Sequence, residues 1–164
     1  MKTVLKIVAA VVICLVLALL VLRVTGLDPK DRRPGLWLTG NVATTPVTDW
    51  SFTDKYPTIM VQTRTWYLLP HSVTISCTSY NSQLYLSSVF LKGMPFPNGK
   101  SWTASVFRDP HVRLKIGNQL YDRTLSYVRD PAEIAAVTDA KAKKYPDLKS
   151  ASDLTTYWFH VLPE

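Results

Sequence analysis

Two predicted strands and one helix start carry basic and hydroxyl side chains that would suit a phosphate group. Arg64 stands in the stretch "QTRT", and Ser87 and Ser88 follow each other further along the chain. Lys100 directly precedes Ser101 at the start of a short helical stretch. A phosphate needs one or two cations for charge, and hydroxyls with helix N-terminal amides for direction. These residues predict an anion site, although each cation could equally be an ordinary solvated surface residue.

The residue types that commonly carry catalysis lack the spacing that their chemistry requires. The histidines His71, His111 and His160 have no histidine or cysteine neighbour at the spacing of metal ligands. The sequence contains no Gly-x-Ser-x-Gly and no glycine-rich nucleotide loop. We therefore expect no bound metal and assign no catalytic residue.

The chain carries a net charge of +7. Without Lys2, Lys6 and Arg23, the chain keeps 16 basic and 12 acidic side chains. This mild excess suits an anionic small molecule or anionic lipid headgroups as well as nucleic acid. Because no run of five like charges occurs, we expect no nucleic-acid partner.

Short segments of alternating apolar and polar residues dominate the chain after residue 35. In one of them, Val73, Ile75 and Cys77 share a face, so Cys77 is expected to be a buried small hydrophobe. Gly117-Asn118 suits a tight hairpin turn that would set Leu114 opposite Tyr121. The pattern predicts strands over residues 36–41, 58–69, 72–78, 84–90, 111–116, 119–128 and 155–163.

Two helices are predicted among these strands. A short one covers 101–108 with Ser101 as N-cap, and a longer one runs from 131 to about 145. The longer helix has Asp130 as N-cap, Pro131 at its first position and Glu133 completing a variant of the capping box. The elements predict a mainly β, α+β domain: a closed or partly closed antiparallel barrel with one longer and one short helix.

The N-terminus carries an uncharged apolar run over residues 7–22. Sixteen helical residues reach about 24 Å, and flanking apolar residues can extend them across a core of about 30 Å if Lys6 and Arg23 snorkel. A cleaved signal peptide is the alternative, but no small-x-small pattern follows the run. We predict a single-pass protein of a bacterial inner membrane, N-terminus inside and domain outside the cytoplasm. The predicted parts are an anchor over 1–26, a linker over 27–36 and a domain over 37–164.

The order of the segments in this domain resembles the split β-barrel flavin-binding superfamily. The resemblance covers about residues 36–163 and rests on "VQTRT", "HSVTISC", "SQLYLSS", "GKSW" and "FRDPHVRLKIGNQLYDRTLSYVRDPAE". That superfamily includes pyridoxamine-phosphate-oxidase-like proteins and deazaflavin-dependent nitroreductases. The resemblance implies a split barrel, a flavin-type ligand (FMN or a deazaflavin) and a homodimer with ligand sites between subunits.

The resemblance also implies which residues would contact the cofactor. Lys100, with the turn that follows it, would belong to a flavin phosphate site. The full set of implied cofactor-binding residues is Arg64, Thr65, Ser87, Ser88, Lys100, Ser101 and Trp102. The Arg-x-Val/Met-x-Leu-Lys motif of the oxidase subgroup is absent. Two hypotheses therefore stand: a flavin- or deazaflavin-dependent oxidoreductase, and a non-enzymatic membrane-anchored interaction domain that has lost the cofactor.

Overall fold

The computed structural model describes residues 1–147 and 153–162. Helix α1 spans Lys2–Thr25, and almost all of its side chains lie exposed to the surroundings. At 1.5 Å per residue its 24 residues reach about 36 Å. By length and composition α1 can cross a membrane, and a signal sequence would meet the same criteria.

The helices and strands after α1 follow the mainly β pattern that the sequence predicts. A short 3₁₀ helix covers Ser51–Lys55. The two further helices are α2 (Ser101–Arg108) and α3 (Pro131–Lys144). The strands are β1 (Asn41–Val42), β2 (Ile59–Arg64), β3 (Pro70–Ile75), β4 (Cys77–Tyr80), β5 (Gln83–Leu91), β6 (His111–Ile116), β7 (Gln119–Tyr127) and β8 (Leu154–Val161).

The strands form one sheet in the order β3-β2-β6-β7-β8-β5-β4, and β1 pairs with β7. Every pair along this path is antiparallel, whereas β1 runs parallel to β7. Only Ser76 separates β3 from β4, so one bent stretch of chain pairs with β2 and then with β5. The sheet curves but does not close. Of the two predicted forms, a closed or a partly closed barrel, the structure has the partly closed one.

The β6–β7 hairpin forms as predicted, with Leu114 opposite Tyr121. Its turn contains Gly117 at φ 60°, in the left-handed region that favours glycine. A Cβ at this position would also come within 2.7 Å of the Tyr56 hydroxyl. The turn therefore requires glycine for two reasons, and it fixes the register of both strands.

Two predicted strands are shorter in the structure. Of residues 36–41, only Asn41 belongs to a strand, because the backbone at 36 and 37 instead pairs with Leu27. Strand β2 ends at Arg64 rather than at residue 69. Leu68 adopts φ 69°, which turns the chain back before β3 begins.

The helix starts are partly as predicted. Asp130 caps α3 as expected, accepting a hydrogen bond from the Ala132 amide at 3.1 Å. Glu133 does not complete a capping box; its carboxylate accepts a hydrogen bond from the Tyr85 hydroxyl at 2.8 Å. Helix α2 covers the predicted residues 101–108, but its N-cap is Lys100 rather than Ser101.

The segment over residues 27–36 lies against the barrel. The Leu27 amide donates to the Trp37 carbonyl at 2.9 Å, and Gly35 exchanges two backbone hydrogen bonds with Ser72 of β3. Asp28 forms an ion pair with Lys115 of β6. These contacts fix the chain that leaves α1 onto one side of the sheet.

The core lies inside the curved sheet and beneath α3. Cys77 is fully buried as expected, and burial raises the pKa of its thiol, which keeps it protonated and unreactive. Two lysine side chains from the last turns of α3 also point inward. Lys141 donates to the Ser87 hydroxyl at 2.9 Å, and Lys144 donates to the Thr53 carbonyl at 2.9 Å. Lys141 thus ties α3 to the sheet, and Lys144 ties it to the 3₁₀ helix.

Candidate functional site

The N-terminus of α2 forms one wall of a cavity of about 480 Å³, which we call the Lys100 cleft. Gly99 to Trp102 supply this wall, and β3 supplies the floor. The opposite wall is the tip of the 27–36 segment, with Arg32 and Arg33, held there because Gly35 pairs with β3. The cleft therefore combines a helix N-terminus with three cationic side chains and one carboxylate, Asp31, and this excess of positive charge favours an anion.

Two polar side chains in the Lys100 cleft stand close together. The Ser101 hydroxyl lies 3.3 Å from Nε2 of His71 on β3. Nδ1 of His71 is buried and has no hydrogen-bond partner among the described residues. Burial lowers the pKa of His71, so the neutral imidazole is favoured. A neutral histidine can accept a hydrogen bond from Ser101 at Nε2 while Nδ1 carries the proton.

Lys100 is half-buried, and its ammonium nitrogen lies 5.2 Å from the centre of the Phe90 ring. Burial lowers the pKa of Lys100, because the ammonium loses part of its hydration. An anion in the cleft would offset this loss. The Thr103 hydroxyl, which the sequence analysis did not single out, donates to the carbonyls of Pro97 and Lys100 at 2.6 and 2.8 Å. It holds the loop that presents Lys100.

Trp102 belongs both to the cleft and to the core. Only 4% of its surface is exposed, and its ring lies 5.2 Å from that of Phe159. The indole therefore forms a fixed part of the cleft wall. A ligand in the cleft would contact its edge rather than stack on an open face.

Arg64 and Thr65 lie elsewhere, at the end of β2. Arg64 borders a cavity of about 580 Å³, the arginine cleft, together with Arg23, Arg113 and Arg123. Its guanidinium lies 3.4 Å from the Asp109 carboxylate. Although burial opposes it, hydrogen bonds from His111 and the charge of Arg64 lower the pKa of Asp109, so this carboxylate stays ionised. The Thr65 hydroxyl donates to the Leu69 carbonyl inside the β2–β3 turn.

Two further cations of the arginine cleft, Arg113 and Arg123, also have internal partners. Arg113 forms two hydrogen bonds of 2.7 Å with the Asp122 carboxylate, and these chiefly lower the pKa of Asp122. The guanidinium of Arg123 lies over the rings of Trp50 and Tyr121, at 5.5 and 5.8 Å. Both clefts are therefore mainly basic: four arginines and Asp122 line the arginine cleft, and three cations and Asp31 line the Lys100 cleft.

Ser87 and Ser88 lie in the middle of β5 and are both buried. The Ser87 hydroxyl accepts from Lys141 and lies 2.7 Å from that of Ser76. The Ser88 hydroxyl has no partner within residues 1–147 and 153–162. Neither serine lines the Lys100 cleft or the arginine cleft.

The predicted site residues thus fall into three groups in the fold. Lys100, Ser101 and Trp102 share one cleft, Arg64 and Thr65 border another region, and the two serines lie inside the barrel. Sequence reasoning missed Arg32, Arg33 and His71 as neighbours of Lys100. The Arg32-Arg33 pair is visible in the sequence, but only the pairing of Gly35 with β3 brings it to the cleft.

Comparison with solved structures identifies proteins of similar fold. A conserved hypothetical protein from Mycobacterium tuberculosis matches with a TM-score of 0.53 at 12% identity, covering 76% of this chain and 86% of that one. The heme storage protein HutZ from Vibrio cholerae matches with a TM-score of 0.51 at 13% identity, covering 69% and 85%. The FAD binding protein from Mycobacterium smegmatis gives 0.49 at 17% identity, covering 70% and 85%.

At these identities the likeness concerns the fold alone. The resemblance read from the sequence is confirmed at the level of the fold. Comparisons with protein-family models and with curated proteins find no match.

Proposed function

We propose that this protein is a membrane-anchored split-barrel protein that binds FMN or a deazaflavin, and a candidate oxidoreductase. The observation that carries the proposal is the Lys100 cleft, where Lys100, Ser101 and the start of α2 face Arg32 and Arg33. This is the part of the chain that the resemblance assigns to the cofactor phosphate.

The residues of the Lys100 cleft fit a phosphate group. Lys100 and the two arginines supply positive charge, and Ser101 with the first amides of α2 supplies directional donors. A volume of about 480 Å³ lies in the range of small-ligand sites, roughly 300–1,000 Å³. A bound flavin or deazaflavin would supply the hydride chemistry, while the protein would hold and orient it.

The remaining contacts in the proposed set rest on the resemblance. Arg64 and Thr65 would contact another part of the same ligand, and Ser87 and Ser88 would do so from β5. Both serines are buried, so their hydroxyls would reach a ligand only where it enters the barrel wall. Of the proposed cofactor-binding residues, the Lys100 cleft contains Lys100, Ser101 and Trp102.

The absorption spectrum of the purified full-length protein tests the proposal. We expect a yellow protein with a flavin band at roughly 450 nm, or a deazaflavin band at shorter wavelength. A protein purified without cofactor should acquire this band when FMN or a deazaflavin is added and the excess is removed. A chain that retains neither compound would contradict the proposed function.

The second candidate is a membrane-anchored interaction domain without a cofactor. The observation that favours it is the position of Arg64, which pairs with Asp109 outside the Lys100 cleft. A phosphate in that cleft would lack the second predicted cation. Failure to bind either cofactor in the spectral experiment would favour this candidate.

The membrane part of the proposal is a single-pass protein of a bacterial inner membrane. It is supported by the exposed apolar surface of α1 and by Arg23 in its last turn. The short charged tail before the apolar run favours the N-terminus inside and the barrel outside the cytoplasm.

We further propose that two chains pair as a homodimer. Phe96, Phe107, Tyr127 and Tyr157 pack edge to face and in stacks at one side of the barrel, and Phe107 keeps 44% of its surface exposed. A two-fold pair would bury such a surface. We expect light scattering of the detergent-solubilised chain, corrected for detergent, to give the mass of two chains. The mass of one chain would contradict the pairing.

A further inference from the structure

The turn between β2 and β3 presents three large apolar side chains in sequence. Trp66 is 78% exposed, Tyr67 49% and Leu68 93%. The two aromatic rings pack edge to face with centroids 5.5 Å apart. The Thr65 hydroxyl closes the turn by donating to the Leu69 carbonyl. The turn thus holds a contiguous apolar patch outward, and such patches mark interaction surfaces.

This turn lies close to the point where the chain leaves α1. Trp37 lines a cavity of about 420 Å³ with Leu68, and it also lines the arginine cleft with Arg23 of the last turn of α1. The amide of Leu27 donates to the Trp37 carbonyl, which fixes the end of α1 to this residue. Trp37 therefore lies between the exposed turn and the end of the apolar helix.

Basic side chains flank the turn. The side chain of Arg64 is 74% exposed, although it lies near the Asp109 carboxylate. Arg108, also exposed, donates to the Arg64 carbonyl at 2.6 Å. Tryptophan and tyrosine side chains favour the headgroup layer of a bilayer, and arginine binds lipid phosphates. Aromatic, apolar and basic groups thus occur together beside a helix that can cross a membrane.

We propose that the β2–β3 turn is a second membrane contact, in which Trp66, Tyr67 and Leu68 enter the headgroup layer of the bilayer that holds α1. The exposed Arg108 then binds a lipid phosphate at the same level. The proposal rests on the membrane insertion of α1, which is part of the proposed function. Because α1 tethers the barrel, the turn meets the bilayer at high effective concentration, and a small apolar surface is sufficient.

Fluorescence quenching in vesicles tests this contact on the full chain. The protein is reconstituted into vesicles of anionic and zwitterionic phospholipids whose acyl chains are either ordinary or brominated, since bromine quenches tryptophan at short range. Trp50, Trp102 and Trp158 are at most 4% exposed and lie inside the domain. The half-buried Trp37 is present in the parent and in the variant below, so its emission cancels in their comparison. We expect brominated lipid to remove the emission of Trp66 from the parent chain. The matched variant Trp66→Phe, which keeps an aromatic ring, should lack this quenched component.

A wash with alkaline carbonate separates the failure of this inference from the failure of the anchor. If the chain stays with the vesicles but brominated lipid quenches the parent and Trp66→Phe equally, the turn does not contact the bilayer and the inference is wrong. If light scattering also gives Trp66→Phe the mass of one chain where the parent has the mass of two, a second copy of the chain covers the turn instead. Release of the chain by carbonate would contradict the anchor itself, and with it this contact.

Discussion

Replacing Lys100 with alanine should weaken FMN binding about 10- to 150-fold, because the phosphate would lose one charge-assisted hydrogen bond worth about 1.5–3 kcal/mol when shielded from water. Riboflavin, which lacks the phosphate, should bind Lys100→Ala and the parent equally. Both flavins are titrated against both proteins, with flavin fluorescence as the signal. The titrations give the ratio of parent to variant affinity for FMN and for riboflavin.

The control for this experiment is Lys92→Ala, which removes an exposed lysine from the loop that precedes α2. Its loss should leave the affinity for FMN unchanged. The melting temperature of unliganded Lys100→Ala should change little. The cation–π contact with Phe90 is worth about 0.5–1 kcal/mol, and the cost of burying the ammonium opposes it. Equal FMN affinity in parent and Lys100→Ala would place the phosphate elsewhere.

The pH dependence of FMN binding provides a second measurement on the same lysine. Burial lowers the pKa of Lys100, so in the free protein it loses its proton at a lower pH than an ordinary lysine. Only the protonated form attracts a phosphate. FMN affinity should therefore fall as the pH rises through this lowered pKa, and Lys100→Ala should lack that fall.

The sequence predicts the barrel well where local pattern and turn chemistry agree. The alternation in β2 puts Ile59, Val61 and Thr63 on one face, and the structure buries that face. Gly117 fixes the hairpin register because few residues other than glycine tolerate its backbone conformation. These features depend on neighbours in sequence, so they are visible without the fold.

The predictions fail where distant segments meet. The backbone of residues 36 and 37 pairs with Leu27, so the apolar stretch "LWLTGN" does not form a full strand. Glu133 bonds to Tyr85 across the domain rather than to its own helix end. Alternation and capping patterns describe only local preferences, and here tertiary partners override them.

The candidate site follows the same rule. Lys100, Ser101 and Trp102 are consecutive, so any fold would place them together. Arg64 is remote in sequence, and the structure places it beside Asp109, outside the Lys100 cleft. Arg32 and Arg33 reach the Lys100 cleft only because Gly35 pairs with Ser72. Long-range pairing of this kind has no signature in a single sequence.

The interior of the sheet should be far more sensitive to substitution than its rim, and Leu86→Ala measures this difference. Leu86 is fully buried in β5, opposite Cys77 on one side and Phe159 on the other. Truncation of Leu86 removes apolar contacts and leaves a cavity beside Cys77 and Phe159. The surrounding strands can close this cavity only partly. We expect the free energy of unfolding to fall by about 2–5 kcal/mol.

Leu91→Ala is the matched control, since it makes the same chemical change at the end of the same strand. Leu91 is 55% exposed and pairs with Leu154, also exposed, so its truncation should cost no more than about 0.5 kcal/mol. Urea unfolding of the detergent-solubilised chains, followed by circular dichroism, should give a lower midpoint for Leu86→Ala with an unchanged slope. A typical domain is stable by only about 5–15 kcal/mol, so this loss would remove a large share of the total. Equal midpoints for the two variants would mean that β5 does not line the core as described.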